Sequence, residues 1–320
     1  KQTISKSPAP LERGVELLNY LSTKTLVKDE IAHGFYLKSM NKESKTTVIE
    51  RIVDLSDPKL SSSHSVKYAI ASIFCSLSVT IETLRKEAFE DKEITAEQYD
   101  DLQAMGKTEE ERKMEDFRKE SDSDNALKSR IMAMAKFNVP KALINLLEEA
   151  TTTTTEQVVT AFTRMACETT IRGAMIQQGC LRSCINLNRV GDLSETEKKI
   201  VRLARHTVAK LLVTTNPALL NTAQCMGAIQ PLLQMVRDHE SSDLQKFEAL
   251  LSITNLASLN EGTKQHIIAE KGISILTYAM FSSHEMVRRA ATEAVSNLFP
   301  HPKMIEHFQN EENLKVLVAF

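Results

Sequence analysis

Two asparagines hold the most distinctive chemistry in this 320-residue chain. Asn255 in SITNLAS and Asn297 in AVSNLF each stand just before a leucine, at the same phase of two apolar ladders. A carboxamide offers a donor and an acceptor together, so a row of them can pair with the backbone of an extended peptide whatever its side chains. Asparagine is a poor interior helix residue, which makes its recurrence at one phase informative. The plain alternative is that each amide bonds a neighbouring repeat. Lys210 in VAKLL takes the matching place upstream, with Cys167 and Ser76 as weaker matches. Phe247, two turns before Asn255, can present an aromatic face beside the amide or simply pack inward. Lys246, Arg288 and Arg289 put positive charge at helix starts, where it opposes the helix dipole. An acidic partner would offset that cost; a solvated surface is the simpler reading.

Catalytic chemistry finds no support. The chain has no GxxxxGK[ST], HExxH, GxSxG or kinase-like set. Cys180 and Cys184 lie four apart, but no second pair stands at zinc-site spacing, so they read as small core residues and no metal is expected. The histidines are dispersed, and His301 and His307 read as surface or capping residues. The 12 methionines, among them Met165, Met235 and Met280, read as core filler. No cofactor is implied.

The elements that must carry these residues recur. A glycine followed by an apolar ladder appears at Gly179 (GCLRSCINL), Gly227 (GAIQPLLQM) and Gly272 (GISILTYAM), with Asn138 in the glycine's place in NVPKALINLL. A second ladder trails each by about 20 residues, starting at Val158, Val201, Phe247 and Val287. The period, about 41 to 48 residues, is that of armadillo and HEAT helical repeats, so the expected fold is all-α, a solenoid of stacked helices. In an armadillo unit the third helix lines the concave face, which places Phe247, Asn255, Asn297 and Lys210 there. LERGVELLNYLS from Leu11 and VKYAIASIFCSLSV from Val66 read as earlier third helices, and Gly34 as the start of the ladder between them. Pro140 and Pro231 read as first-turn prolines of their ladders. Thr151 to Thr155 reads as an exposed connector.

Forty basic against 42 acidic residues leave a formal charge of -2, which supplies no general attraction to nucleic acid or to an anionic membrane. Five scattered cysteines argue against a disulfide framework, and no apolar run reaches membrane-spanning length, so a cytoplasmic protein is expected. Residues 85–126 interrupt the repeat: 15 acidic and 8 basic residues fall between Arg85 and Asp124. Such a stretch supplies little core and reads as a solvated excursion or a partner-facing loop. The expected organisation is therefore repeats over 1–84, a charged insertion over 85–126 and repeats over 127–320. Both ends read as cut from a longer chain.

At these residues the chain resembles the UCS-domain myosin chaperones. FEALLSITNLAS is similar to that family's groove helix, KLLVTTNPALL with GAIQPLLQMV to a second family stretch, and LERGVELLNYLSTKTLVKDEI to an early helix pair. KYAIASIFCSLSV, the charged insertion and SRIMAMAKFNVPKALINLL follow in the family's order. The resemblance implies a right-handed superhelix of armadillo repeats. It also implies a groove that binds the myosin motor domain and assists its folding in the actomyosin cytoskeleton, without nucleotide hydrolysis. The family's groove asparagine falls on Asn255 and its groove aromatic, often tyrosine, on Phe247, which lacks the hydroxyl. Many members recruit the ninety-kilodalton heat-shock protein through a tetratricopeptide domain. None is present in these residues, so that partnership is expected of a longer parent. The competing class is a peptide adaptor of the importin alpha or catenin kind. The absence of tryptophan argues against the first, and Lys210, Arg288 and Arg289 are too few to make the broadly basic groove of the second.

Overall fold

A computed structural model describes residues 10–34, 36–38, 45–58, 63–84 and 122–318. Most of the expected insertion, residues 85–121, lies outside the described residues, as do the first nine. The chain divides into two compact units, Lys1–Ile171 and Arg172–Phe320. Residues 122–171, which follow the insertion, thus share a unit with the residues before it.

In the first unit, α1 (Pro10–Ser22) leads to α2 (Thr25–Asp29) and a π turn over Glu30–Gly34. A short antiparallel ribbon pairs Tyr36–Lys38 with Lys45–Thr47. The ladder expected from Gly34 is thus not a helix. The helical ladder starts at α3 (Val48–Leu55), where Thr47 and Glu50 form a reciprocal capping box. Then come α4 (His64–Leu77), α5 (Asp124–Lys136), α6 (Val139–Leu146) and α7 (Thr152–Met165). α1, α4 and α7 are the third helices, α4 packing between the other two. Ile70, Phe74 and Leu77 of α4 meet Leu143, Leu146 and Phe162 in a core closed to solvent. The threonine run is the first turn of α7 rather than a connector. Thr151 caps it by accepting from the Thr154 N–H, and Thr154 is fully buried.

The second unit runs through α8 (Arg172–Gln177), α9 (Cys180–Asn186), α10 (Glu195–Val213), α11 (Thr222–Arg237) and α12 (Asp243–Ala257). It ends with α13 (Glu261–Ala269), α14 (Gly272–Ala279), α15 (Glu285–Leu298), α16 (Pro302–Gln309) and α17 (Glu311–Val318). The third helices α10, α12 and α15 stack in that order. Val208, Leu250, Ile253, Ala294 and Leu298 fill the seams. Cys180 and Cys184 are core residues, and no metal-binding group occurs among the described residues. His301 caps α16, its Nδ1 accepting from the Lys303 N–H.

The recurring glycine phase is a left-handed turn between helices. Asn138 (φ 59°) and Gly179 (φ 97°) both occupy it. In the α13–α14 turn it falls on Lys271 (φ 65°), not on Gly272. Gly272 is needed instead for close approach, since a Cβ there would lie 2.5 Å from the Ile267 carbonyl oxygen. Lys271→Gly is therefore expected to raise stability by about 0.5–1 kcal/mol, and Gly272→Ala to lower it by about 1–3 kcal/mol. Urea midpoints moving in opposite directions would verify the pair. At Gly227 there is no turn: α11 runs straight through, which puts Pro231 in a helix interior rather than in a first turn. The ring faces the carbonyl of a residue without a Cβ, and Gly227 is also where Ile185 packs closest.

A buried ionic cluster ties the insertion's two flanks together. Arg130 on α5 is wholly buried; it donates to the Leu77 carbonyl, to Asp29 Oδ1 (2.9 Å) and to Asp122 Oδ1 (2.7 Å). Asp122 Oδ2 accepts from the Ile81 backbone N–H at 2.6 Å. Lys28 on α2 donates to the Val79 carbonyl at 2.7 Å and lies 3.8 Å from Asp122. Burial lowers the Lys28 ammonium to about 8, Arg130 and Arg164 add to the lowering, and Asp122 and Asp29 oppose it. Between pH 8 and 10.5 the unfolded chain then holds a proton that the folded one has released, so stability rises with pH across that window. Urea midpoints over this range should climb more steeply for the parent than for Lys28→Met.

Candidate functional site

The candidate site is the solvent-facing stripe of the stacked third helices in the second unit. A serine at the end of a turn starts α12: Ser242 accepts from the Gln245 N–H, and the Gln245 side chain returns to the Ser242 N–H. From this fixed start the helical period turns Leu244, Phe247, Glu248, Leu251 and Asn255 outward. Leu244 is 62% exposed, and Phe247, Leu251 and Asn255 are half-buried. Met286, Arg289 and Asn297 repeat the stripe on α15.

The two asparagines are brought to one phase, as the sequence predicts, and each spends part of its amide on the preceding helix. Asn255 Nδ2 donates to the Val213 carbonyl at 3.3 Å, and Asn297 Nδ2 to the Thr254 carbonyl at 3.2 Å. The Val213 carbonyl ends α10, where intrahelical donors run out, whereas the Thr254 carbonyl also accepts from the Ser258 N–H. The bond to a neighbouring repeat, weighed above as the plain alternative, is therefore present. Among the described residues neither carboxamide oxygen receives a hydrogen bond, so the acceptor side stays available. Ser252 reaches the Ala209 carbonyl (3.0 Å) in the same way, and in the first unit Ser76 reaches that of Ser22 (2.8 Å). Cys167 differs: it lies in the turn after α7, and its thiol turns back to the Thr163 carbonyl of that helix. The carbonyl that Asn255 reaches, that of Val213, lies about one turn beyond Lys210 on α10.

Two of the four candidate cations are committed. Lys210, 9% exposed, donates to Glu248 Oε1 at 3.0 Å. Arg288 donates to the carbonyls of Ser282 and Ser283 at 2.9 and 2.8 Å. Arg289, well exposed, lies 3.9 Å from Glu285, a separation worth little in water. Lys246 has no partner among the described residues.

Glu248 is the organising residue that sequence reading passed over. Its other oxygen meets His206 Nε2 at 2.9 Å, and Gln245 Nε2 faces His206 Nδ1 at 3.4 Å. Burial pushes the Glu248 carboxyl up, but the hydrogen bonds and charges of His206 and Lys210 outweigh it and hold the group below the usual carboxylate range. A signal was present in the sequence. His206 and Lys210 stand one turn apart, and Glu248 follows at about one repeat period.

No protein-family model matches the chain. Protein unc-45 homolog B of Xenopus laevis is 32% identical over 169 residues, 52% of this chain and 18% of the relative. The chain spans about a fifth of the length of the curated relatives it matches. UNC-45 from Drosophila melanogaster superposes with a TM-score of 0.69 at 22% identity, over 99% of this chain and 36% of that one. The myosin chaperone UNC-45 from C. elegans, solved in complex with a Hsp90 peptide, gives 0.68 at 21% identity over 95% of this chain and 29% of that one. A computationally designed armadillo repeat protein for modular peptide recognition gives 0.54 at 15% identity, covering 92% of this chain and 95% of its own. The fold is thus the armadillo-type helical solenoid that the ladder spacing predicts.

Proposed function

We propose, from the homology of this chain to UNC-45, that it is a myosin-directed chaperone module whose third-helix face holds a segment of the motor domain. The observation that carries the reading is the match to a myosin chaperone structure over 95% of the chain, with an asparagine repeated at one phase of the stacked helices. The role is that of a holder, not an enzyme: the carboxamide oxygens of Asn255 and Asn297 accept backbone N–H groups of the client, and Phe247 packs beside them.

The deciding experiment is suppression of heat-induced aggregation of a purified myosin motor domain beside an unrelated client such as citrate synthase. Protection of the motor domain at near-stoichiometric ratio, without protection of the control, supports the reading; protection of neither refutes it. Asn255→Ala is expected to weaken motor binding by about 1–3 kcal/mol if the amide is desolvated by the client. Because the Val213 carbonyl also loses its donor, about 1 kcal/mol of stability should go with it. Titration calorimetry and urea melts on the same variant separate the two losses.

A further inference from the structure

Charge on the α12 and α15 face is balanced in sign and partly consumed. Asp243, Glu248, Glu285 and Glu293 face Lys210, Lys246, Arg288 and Arg289. Glu248 is held by Lys210 and His206, Glu285 lies near Arg289, and Arg288 is spent on two carbonyls. On this face Asp243, Lys246 and Glu293 have no partner among the described residues, Glu285 and Arg289 are paired only at 3.9 Å, and together these charges are of mixed sign. Such a surface exerts little steering on an acidic or a basic segment.

What it does offer is apolar and amide. Leu244 and Asn255 stand eleven residues apart on α12, and Met286 and Asn297 the same eleven apart on α15. Eleven residues of helix span about 16 Å, and packed helices lie about 8–10 Å apart. Each helix therefore presents an apolar start and an amide end; on α12 Phe247 and Leu251 fill the interval, and on α15 the oppositely charged Arg289 and Glu293 do. Leu244 and Met286 are 62% and 42% exposed, so the apolar edge is open to solvent.

We infer that this face selects extended, uncharged segments rich in apolar side chains, their main chain lying on the Asn255 and Asn297 amides and their side chains over Phe247, Leu251 and Leu244. This rests on the client-holding reading above and adds to it the chemistry of the segment held. An acidic segment, which Lys246, Arg288 and Arg289 suggest from sequence, finds Arg288 spent on two carbonyls, while Lys246 and the exposed Arg289 are offset in charge by Asp243, Glu285 and Glu293. A lysine-rich segment meets no cluster of carboxylates.

The test is fluorescence anisotropy of the full chain with three labelled peptides of equal length: uncharged and apolar, acidic, and lysine-rich, each at low and high salt. The uncharged apolar peptide should bind at least about tenfold tighter than either charged one. Its Kd should change less than about twofold between the two salts, since few counterions are released. Leu251→Ser should raise that Kd about tenfold, and Leu244→Ser, at a position too exposed to disturb packing, should raise it several-fold. Preference for the acidic or lysine-rich peptide, with binding lost at high salt, would overturn the inference while leaving the holder role standing. Binding of none of the three by a chain that still protects the motor domain would also overturn it. Failure to protect the motor domain is a separate result, and it strikes the chaperone reading itself.

Discussion

Asp122→Ala should cost the first unit about 3–5 kcal/mol, the largest loss expected of any polar substitution discussed for this chain. Asp122 neutralises Arg130, lies near Lys28 and accepts the Ile81 N–H, all with side chains almost closed to water. Removing it leaves Asp29 as the remaining carboxylate facing two buried cations, and it orphans a backbone donor. Breaking one partner from a buried ionic group is costly because desolvation has already been suffered by the ions that remain. Asp122→Asn keeps an oxygen for the Ile81 N–H but loses the charge, so it should fall between alanine and the parent. Urea unfolding with a probe in each unit would check the assignment. A loss below about 1 kcal/mol for alanine would mean that water enters the cluster and screens it.

Glu248→Gln should destabilise the second unit by about 1–3 kcal/mol at neutral pH, and the penalty should shrink as the solution is acidified. The parent carboxyl titrates below its unfolded range because His206 and Lys210 hold the charged form. Its contribution is therefore complete above the unfolded value, roughly 4.3, and disappears as pH falls through the lower folded one. A double-mutant cycle with Lys210→Met should return a coupling of about 0.5–3 kcal/mol. The same substitution frees Lys210 from its carboxylate, so the client-holding face would then carry an uncompensated ammonium. Tighter binding of the acidic peptide by Glu248→Gln than by the parent is the functional counterpart.

The sequence carried the repeat clearly because each ladder must bury a stripe of about the same width. Caps such as Ser242 with Gln245 mark helix starts in the residue types themselves. Asn138 was recognisable as a glycine substitute, since asparagine tolerates the left-handed turn. Gly227 misled for the opposite reason: a glycine chosen for close packing against Ile185 looks the same as one chosen for its φ. The threonine run misled because threonine caps and continues a helix start as readily as it fills a turn. The phase of Asn255 and Asn297 could be read, but their bonds to Val213 and Thr254 could not, because they depend on how far one helix is shifted along the next. The cluster of Lys28, Asp29, Asp122 and Arg130 joins residues up to 101 positions apart. Nothing local in those residues distinguishes a buried ion from a solvated one.

The Ile81 N–H and the Asp122 carboxylate meet at hydrogen-bonding distance. The chain thus leaves the repeat and returns to it at nearly one point, already fastened. A span whose ends are pinned together can change length at a small entropic cost, about 0.6 kcal/mol for each doubling. For lineages of this fold, a change of length between Leu84 and Asp122 therefore carries only that small loop-closure cost.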